Sequence, residues 1–316
     1  MLSKQVHVVL NPASSAGKTG KKQEAILTQI GRGLDGEFSV CVTKGPLEAT
    51  LSTRVAIQEG AQLVVAVGGD GTVHEVVNGF FLGGSVINPE CELGILCSGT
   101  GADVGKSFNL PELLEDQIEA VCGDHARLID IGKVTYRDVQ GFEAERFFVN
   151  ECQQGMAPIV VERAQKQHKR LGGFLGFGLA AVQTLLVYRD QKMTVTIDDR
   201  EPITARFLDV VAANGTHAGG GMTFAPRAKV DDGLLDFVLI HRRWIPARLA
   251  SFPKIYSGKH VDLSWVTYIQ GKRLTITSDE TVGVEADGEL LGFAPCTIQI
   301  LPRTIRLKSS PVTARN

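Results

Sequence analysis

The stretch LVVAVGGDGTVHEVVNG, Leu63–Gly79, decides the fold of the first half of the chain. An apolar run comes first, three glycines follow, and a helix-compatible segment ends the stretch. We expect the glycines to let the backbone adopt positive φ and approach a ligand closely. The amino terminus of the following helix offers N–H groups and a positive dipole end to an anion. The stretch therefore predicts a buried strand, a phosphate-binding loop and a helix.

A carboxylate, Asp70, stands in the middle of this loop and would repel a phosphate unless a cation lay between them. Mg²⁺ supplies such a bridge, because it binds carboxylates and phosphates together. The stretch Leu93–Phe108, LGILCSGTGADVGKSF, repeats the pattern and carries Asp103. Since neighbouring parallel strands end at one edge of a sheet, we expect Asp70 and Asp103 to face the same phosphates. Asp130, which follows an apolar run, is a third candidate acid.

The chain of 316 residues suggests two domains at roughly 150 residues each. Before residue 131, continuous apolar strands alternate with helical stretches, which indicates a parallel sheet covered on both faces. After it, short strands dominate around one helical interruption at about 160–188, which indicates a mostly antiparallel β-sandwich or open barrel. We predict an α/β domain over residues 1–131 and a β-rich domain over 132–302. The segment from about 303 to 316 is expected to pack back on the first domain.

Composition limits the classes of function. The net charge of −2 gives no basic field for nucleic acid. The six cysteines show no C-x-x-C pair, so we expect reduced thiols in a cytoplasmic protein rather than disulfides or zinc. The start of the sequence lacks a signal-peptide pattern. The uncharged stretch Leu171–Tyr188 borders on the length of a membrane span, but its four glycines and Gln183 favour a buried or groove-lining helix.

Several motifs occur in a fixed order along nearly the whole chain: VVLNPASSAG, VGGDGTVHEVVNG, LGILCSGTGAD, IDIGKV, FFVNECQQGM, VVAANGTHAGGGMTFAPRAKVDDGLLDFVLI, GVEADGELL and ILPRTIRL. With them the chain resembles the diacylglycerol kinase-type lipid kinases, in the bacterial branch that is also similar to sphingosine kinases. The glycine-rich motif alone is shared with phosphofructokinases and NAD kinases, whose α/β domain the first half is expected to resemble. The motifs GGGMTFAP, DDGLLD and ADGE are more specific.

The resemblance implies that ATP binds to the first domain. The residues expected at the nucleotide are Asn11, Thr43, Gly68, Gly69, Asp70, Gly71, Thr72 and Thr100. Asn11 begins a stretch that looks like a Walker A loop, but Pro12 stands where the first glycine belongs. In this family the segment is an N-P-x-S loop, so Lys18–Thr19 is incidental. The chain departs from the family pattern in a longer Ser14–Gly17 step and in Ala102, where an asparagine is usual.

Mg²⁺ is the second implied cofactor. Asp70, Asp103 and Asp130 are expected to form its network at the phosphates. The resemblance further implies a structural Mg²⁺ held by the Asp232 carboxylate and the backbone carbonyls of Lys229 and Leu234, which are oxygen ligands that suit a hard cation. From the residues alone, the segment around Asp232 is predicted to be a polar turn between strands.

The segment Val284–Gly292, VEADGELLG, carries two acids, Asp287 and Glu289. Asp-Gly between apolar runs predicts a β-hairpin turn. Phosphoryl transfer needs an in-line alcohol, a metal and a base for the hydroxyl proton. The resemblance implies that one of the two acids is this base. We favour Glu289, with Asp287 supporting it or the metal.

The implied substrate is a lipid alcohol, diacylglycerol or a relative of it. The segment His241–His260 has five basic residues, three aromatic residues and no acid, which suits peripheral contact with an anionic membrane, although a solvated surface explains it as well. A phosphatidylglycerol or sphingoid-base kinase is an alternative, as is a non-catalytic relative that binds lipid or nucleotide. An NAD kinase-like enzyme is suggested by the pair Asn150–Glu151. A homodimer is left open.

Overall fold

A computed structural model describes residues 5–34, 37–97, 103–171 and 173–310, with the side chains of residues 167–175 left out. The chain divides into two compact units. Unit 1 consists of Met1–Ile129 and Arg303–Asn316, and unit 2 consists of Asp130–Pro302. Each unit is described by itself below.

Unit 1 alternates strands with helices. Its strands are β1 (Val6–Leu10), β2 (Phe38–Val42), β3 (Leu63–Gly68), β4 (Phe81–Leu82), β5 (Ser85–Val86) and β6 (Glu92–Cys97). Its helices are α1 (Lys18–Lys21), α2 (Gln23–Gly33), α3 (Glu48–Gln58), α4 (Asp70–Gly79), α5 (Asp103–Ser107) and α6 (Leu114–Cys122). A short 3-10 turn, Ser14–Gly17, precedes α1.

The sheet of unit 1 is parallel, with the strand order β2–β1–β3–β6. Arg306 and Leu307, from the far end of the chain, extend it by pairing in parallel with β6. Val8 and Val65 lie in one core cluster with Ile26 of α2 and with residues of α6. Strand β3 is apolar and buried throughout, because helices cover both faces of a parallel sheet. The carboxyl ends of β1, β2, β3 and β6 therefore lie along one edge.

Unit 2 is rich in strands. They are β7 (Ala126–Arg137), which begins in unit 1, β8 (Glu143–Phe148), β9 (Glu151–Gly155), β10 (Gln191–Ile197), β11 (Ile203–Ala213), β12 (Leu235–His241), β13 (Val266–Gly271), β14 (Arg273–Thr277), β15 (Gly283–Ala286) and β16 (Glu289–Lys308), which ends in unit 1. The helices are α7 (Ala157–Leu171), α8 (Gly173–Val187) and α9 (Ile245–Ser251), with 3-10 turns at Phe252–Ser257 and Lys259–Asp262. The described strand pairs within the unit are antiparallel.

Strand β11 shows how the core of unit 2 is built. Val210 and Ala212 point into a cluster formed mainly by the strands, whereas Val211 and Ala213 point into a second cluster that contains residues of α8 and of the 3-10 turns. Side chains alternate between the two faces of a strand, so a strand covered on both sides is apolar at every position. The end of β11 is accordingly fully buried.

One detail differs from the sequence analysis. The single helical interruption expected at about 160–188 is two helices, α7 and α8. None of the helices in the described part of the chain combines the length and the apolar character that a membrane crossing requires.

Candidate functional site

The carboxyl edge of the unit 1 sheet collects the residues expected at the nucleotide. Asn11 follows β1 and donates its backbone N–H to the carbonyl of Val67, 3.0 Å away. Its side-chain Nδ2 donates to Oγ1 of Thr72 at 3.1 Å, which ties the first loop to the start of α4. Thr43 follows β2, is buried, and donates its N–H to Leu10 at 2.9 Å. Thr100 lies outside the described residues.

The backbone φ angles of the glycine-rich loop, Gly68–Gly71, differ from the expectation. Gly69 has φ −99°, and neither Gly68 nor Gly71 has a positive φ, so the prediction of a left-handed backbone there is wrong. A Cβ at Gly68 would stand only 2.7 Å from Cβ of Thr72, which requires glycine. Among the described residues, a Cβ at Gly69 or Gly71 would meet nothing within 4 Å. These two glycines leave the backbone open beside the amino terminus of α4.

Asp70 joins the two loops. Its Oδ2 accepts the N–H of Asp103 and its Oδ1 accepts the N–H of Val104, both at 3.1 Å. The structure thus brings Asp70 and Asp103 together at the amino termini of α4 and α5. Asp103 is buried, and its carboxylate lies 4.0 Å from Nζ of Lys106. Burial, with a smaller contribution from the charge of Asp70, raises the pKa of the Cys97 thiol to about 12, so this neighbour stays neutral.

The first loop is built on an unusual backbone. Ser15, Ala16 and Gly17 all have positive φ, at 52°, 55° and 81°. Two consecutive non-glycine residues in this region store strain of the kind found at functional sites. Thr19 is fully buried, with Oγ1 2.5 Å from Oγ of Ser14. Its hydroxyl is directed into the loop, which agrees with an incidental resemblance to a Walker A motif.

In unit 2, Asp130 is tied to the turn of Asp232. Asp130 is fully buried, its Oδ2 accepts the N–H of Gly233 at 2.6 Å, and its own N–H donates to Val230 at 2.7 Å. Asp232 is exposed and accepts the N–H of Leu234 at 3.0 Å. The polar turn expected from the residues is therefore present. Asp130 fixes this turn, and the role of Asp130 in a phosphate-bound metal network stays a prediction.

The fit to a metal ion depends on the type of donor. Among the described residues there is no group of three or more His, Cys, Asp or Glu side chains that could hold a metal. The described residues therefore do not form a metal site made of protein side chains alone. Carboxylate oxygens at Asp70, Asp103 and Asp232 suit an ion such as Mg²⁺, which keeps several waters and takes one or two carboxylates.

The predicted hairpin is present at the end of β15. Ala286 pairs with Glu289, so Asp287 and Gly288 form a two-residue loop. Their φ values are 48° and 81°, as a type I′ turn requires at both central positions. Asp-Gly is the preferred sequence for this turn, because aspartate tolerates and glycine readily adopts positive φ.

Three backbone N–H groups hold the carboxylate of Asp287. Oδ2 accepts from Val149 at 2.8 Å, and Oδ1 accepts from Asn150 at 2.9 Å and from Glu151 at 3.0 Å. The N–H of Asp287 in turn donates to the carbonyl of Glu151 at 3.0 Å. Asp287 therefore anchors the hairpin to the start of β9.

Glu289 has a different environment. Its Oε2 lies 2.6 Å from Nη2 of Arg146 on β8, and a third of its side chain is exposed. Arg146 itself is mostly buried. Sequence reasoning missed Arg146, since a single arginine on a strand carries no local signal of its partner. Both acids of the pair are thus partly exposed, and Glu289 has a cationic neighbour.

A buried carboxyl pair lies beside the hairpin. Glu285 and Glu151 are both almost fully buried, and Oε2 of Glu285 accepts the N–H of Gly288 at 3.0 Å. Burial raises the pKa of Glu285 well above its ordinary value, and the neighbouring Glu151 raises it further. Two buried carboxyls in contact share a proton more readily than they both ionise. The pattern Asn150–Glu151 thus has a structural explanation in this chain, because it supports the hairpin.

Comparisons with known proteins agree with this architecture. Residues 5–134 match the model of the diacylglycerol kinase catalytic domain, and residues 151–309 match that of the YegS C-terminal NAD kinase beta sandwich-like domain. The chain is 25% identical to a diacylglycerol kinase of Staphylococcus haemolyticus over 310 residues, covering 97% of this chain and 88% of that protein. It is 25% identical to a diacylglycerol kinase of Bacillus subtilis over 299 residues, covering 92% of each.

The fold has a solved counterpart. A structure of a candidate diacylglycerol kinase from Bacillus anthracis str. Sterne superposes with a TM-score of 0.78 at 22% identity, covering 99% of this chain and 100% of that one. At this identity the likeness concerns the fold alone. The second family model covers half of the chain, and the first covers most of the remainder. The resemblance based on the motifs is confirmed, and the chain belongs to the family of diacylglycerol kinase-type lipid kinases.

Proposed function

We propose that this protein is an ATP- and Mg²⁺-dependent lipid kinase that transfers the γ-phosphate of ATP to the hydroxyl of diacylglycerol or a related lipid alcohol. The observation that carries the proposal is the carboxyl edge of the unit 1 sheet. There a glycine loop leaves open backbone beside the amino terminus of α4, and Asp70 links α4 to α5. Relatives named diacylglycerol kinase support the choice of substrate class.

ATP binds in this proposal to unit 1. The open backbone at Gly69 and Gly71 lets phosphate oxygens approach the N–H groups at the start of α4. Asn11 and Thr72, joined by a hydrogen bond, hold the first two loops in register for the nucleotide. Thr43 and Thr100 complete the set that the family resemblance assigns to ATP.

Asp70 and Asp103 would hold Mg²⁺ at the phosphates through its waters, and Asp130 belongs to the same network by family resemblance. When bound, the ion neutralises the charge that develops on the transferred phosphoryl group. Asp232, with carbonyls of Lys229 and Leu234, would hold a second, structural ion.

Unit 2 supplies the acid that handles the alcohol proton. We assign Glu289 as the general base, because its partly exposed carboxylate contacts a side chain, whereas that of Asp287 is held by backbone N–H groups. Asp287 is assigned a positioning role, since three backbone N–H groups already occupy its oxygens. The hairpin is rigid because its turn geometry and its anchor to β9 are both fixed. A rigid support favours catalysis, since it keeps the base within reach of the hydroxyl.

The alternatives differ in the acceptor. If the acceptor were phosphatidylglycerol or a sphingoid base, the chemistry would be the same and the lipid groove of the protein would differ. NAD is the acceptor suggested by the pair Asn150–Glu151, but in this chain the backbone of that pair supports Asp287. A non-catalytic relative would have little reason to retain Asp70, Asp287 and Glu289 in ordered surroundings.

A transfer assay separates these functions. The protein is incubated with γ-labelled ATP, Mg²⁺ and one acceptor at a time: short-chain diacylglycerol dispersed in detergent, phosphatidylglycerol, a sphingoid base or NAD. We expect label in the diacylglycerol product. Label in one of the other products would identify that acceptor, instead of diacylglycerol, as the substrate. Absence of label in every product, with ATP binding intact in equilibrium dialysis, would favour the non-catalytic relative.

A further inference from the structure

Strand β2 forms one edge of the unit 1 sheet. Within the described residues it pairs with β1 alone, whereas Arg306 and Leu307 continue the sheet beyond β6 on the other side. Proteins usually protect an edge strand with a charged side chain, a proline or a β-bulge, because its unpaired backbone groups can bind another strand. The sequence of β2, FSVCV, has no charge and no proline, and its register with β1 is continuous. The edge at β2 is therefore unprotected.

The hydrogen bonds of β2 show which of its backbone groups face outward. The N–H of Thr43, directly after the strand, donates to the carbonyl of Leu10 on β1 at 2.9 Å. Successive residues of a strand direct their backbone groups to opposite edges, so every second residue counted back from Thr43 bonds to β1. The residues between them, Phe38, Val40 and Val42, therefore direct an N–H and a carbonyl away from β1.

A second copy of β2 matches these outward groups. When two β2 strands run antiparallel about a two-fold axis at Val40, this residue lies opposite its counterpart, and Phe38 lies opposite Val42 of the second copy. These are hydrogen-bonded pairs of an antiparallel ladder, in which the two residues exchange both N–H···O bonds. The contact is isologous, because the same surface serves both copies. The outward backbone groups of β2 are thus complementary to themselves.

Charge favours the antiparallel orientation. Glu37, directly before the strand, and Lys44, shortly after it, are both exposed. Antiparallel pairing about Val40 brings the acidic end of one strand to the basic end of the other, twice in a dimer, whereas parallel pairing would place like charges together. Opposite charges on paired strands stabilise a sheet, and like charges directly opposite destabilise it. The occupant that this edge fits is therefore an antiparallel copy of β2.

Helix α3 carries an exposed apolar stripe beside the same edge. The stripe consists of Leu51 and Val55 of α3 and of Leu47 directly before the helix, each more than half exposed. Residues four apart lie on one side of a helix. Ser39 Oγ of β2 lies 2.7 Å from Nδ1 of His7, whose Nε2 lies 2.7 Å from Oγ of Ser52 on α3. Leu51 and Val55 line a groove together with Ser39, so the stripe flanks β2.

We infer that two copies of this chain associate through β2, with the two strands antiparallel about Val40 and the unit 1 sheets joined into one continuous sheet. A two-fold axis perpendicular to the sheet keeps both α3 helices on the same face. Their apolar stripes then lose contact with water beside the new pair of strands. The inference does not rest on the proposed kinase activity, because β2, Leu51 and Val55 take no part in that proposal.

Sedimentation velocity over a range of protein concentrations tests the association. We expect wild type to form a dimer that dissociates on dilution. Val40→Lys should raise the dissociation constant at least about tenfold, because two lysines then replace two apolar side chains that face each other. The matched control, Leu82→Lys, changes another exposed apolar residue on a strand of unit 1 and should leave association unchanged. A wild-type monomer, or equal dissociation constants for variant and control, would overturn the inference.

Val40→Pro tests the backbone bonds separately from the side chains. Proline lacks an N–H, and the N–H of Val40 is directed away from β1, so circular dichroism should show the wild-type fold. The dissociation constant should rise about 25-fold, since two N–H···O bonds are lost across the axis and each contributes about fivefold. A folded variant that dimerises as tightly as wild type would show that the contact does not run through β2.

Cross-linking tests the register. In a Cys41→Ser background, Val40→Cys places two thiols opposite each other, and the Cα separation of about 5.5 Å in a hydrogen-bonded pair is one that a disulfide spans. Mild oxidation should give a covalent dimer on a non-reducing gel. Leu82→Cys in the same background is the control and should stay monomeric on that gel. If Val40→Cys gives no more covalent dimer than Leu82→Cys, the antiparallel register about Val40 is wrong.

Discussion

Two aspartates, Asp70 in unit 1 and Asp287 in unit 2, are held by backbone N–H groups but differ in how they are held. Within the part of the chain that the structure describes, Asp70 receives the N–H groups of Asp103 and Val104, at the start of the next helix along the edge. Asp287 receives three, from a segment distant in sequence, and adopts a left-handed backbone itself. The first arrangement joins the starts of α4 and α5 at the edge of the sheet. The second uses the carboxylate to fix a turn, and in the proposed function the neighbouring Glu289 carries out the chemistry.

From this comparison, we expect phosphate transfer to depend most strongly on the charge of Asp70. Asp70→Asn should lower phosphate transfer by about 10³-fold, because it removes the carboxylate that would hold the metal against the phosphates. The fold should persist with a loss of about 1 kcal/mol in the free energy of unfolding, since the amide oxygen still accepts one of the two N–H groups. Labelled transfer and thermal unfolding measure the two effects.

Asp116→Asn is the matched control, because Asp116 is an exposed acid in the first turn of α6 in the same unit. It should leave the rate unchanged. A rate for Asp70→Asn within about tenfold of wild type would remove Asp70 from the metal site and reduce it to a cap for α5.

The next effect separates the two acids of the hairpin. Glu289→Gln should slow the chemical step about 10²-fold, toward the lower end of the range for a general base, because a loose transition state asks little of the base. The affinity for ATP should stay near normal. Single-turnover kinetics with ATP and short-chain diacylglycerol measure the step. A loss under about tenfold in Glu289→Gln, together with a larger loss in folded Asp287→Asn, would assign the base to Asp287 instead.

A smaller effect, on stability rather than on rate, is expected when Asp287, which anchors the hairpin to β9, is changed. Asp287→Asn places an amide NH₂ where an oxygen now accepts a backbone N–H. It should lower the free energy of unfolding by about 2–3 kcal/mol, the usual cost of a hydrogen bond to a charged group and of a donor left facing a donor. Chemical denaturation gives the value. Stability equal to wild type would show that the three N–H groups do not hold the hairpin.

The smallest effect depends on pH. Burial raises the pKa of Glu285 well above its ordinary value of 4.5, so the native protein keeps a proton that the unfolded chain releases. The contribution of Glu285 to stability therefore falls as the pH rises above about 4.5. At high pH, Glu285→Gln should raise the free energy of unfolding by about 1 kcal/mol relative to wild type. At low pH the difference should be small. Glu143→Gln, on the exposed face of β8, is the control and should show no such difference.

The strand, loop and helix around Asp70 could be predicted because their signals are local: an apolar run, glycines and a helix start lie within one stretch. The role of the glycines was harder to predict, since the same residue type serves left-handed φ, close packing at Gly68 and open backbone at Gly69. The environments of Asp287 and Glu289 depend on Val149–Glu151 and Arg146, which are far away in sequence. Their spacing alone therefore could not separate an anchor from a base.

The pairing of Arg306 and Leu307 with β6 has a consequence for biosynthesis. The sheet of unit 1 takes one of its strands from a segment that is translated only after the whole of unit 2. Domains usually fold as they leave the ribosome, the amino-terminal one first. Here the edge of β6 stays unpaired on that side until translation has passed residue 307, and a nascent chain stalled earlier would expose a strand edge open to aggregation.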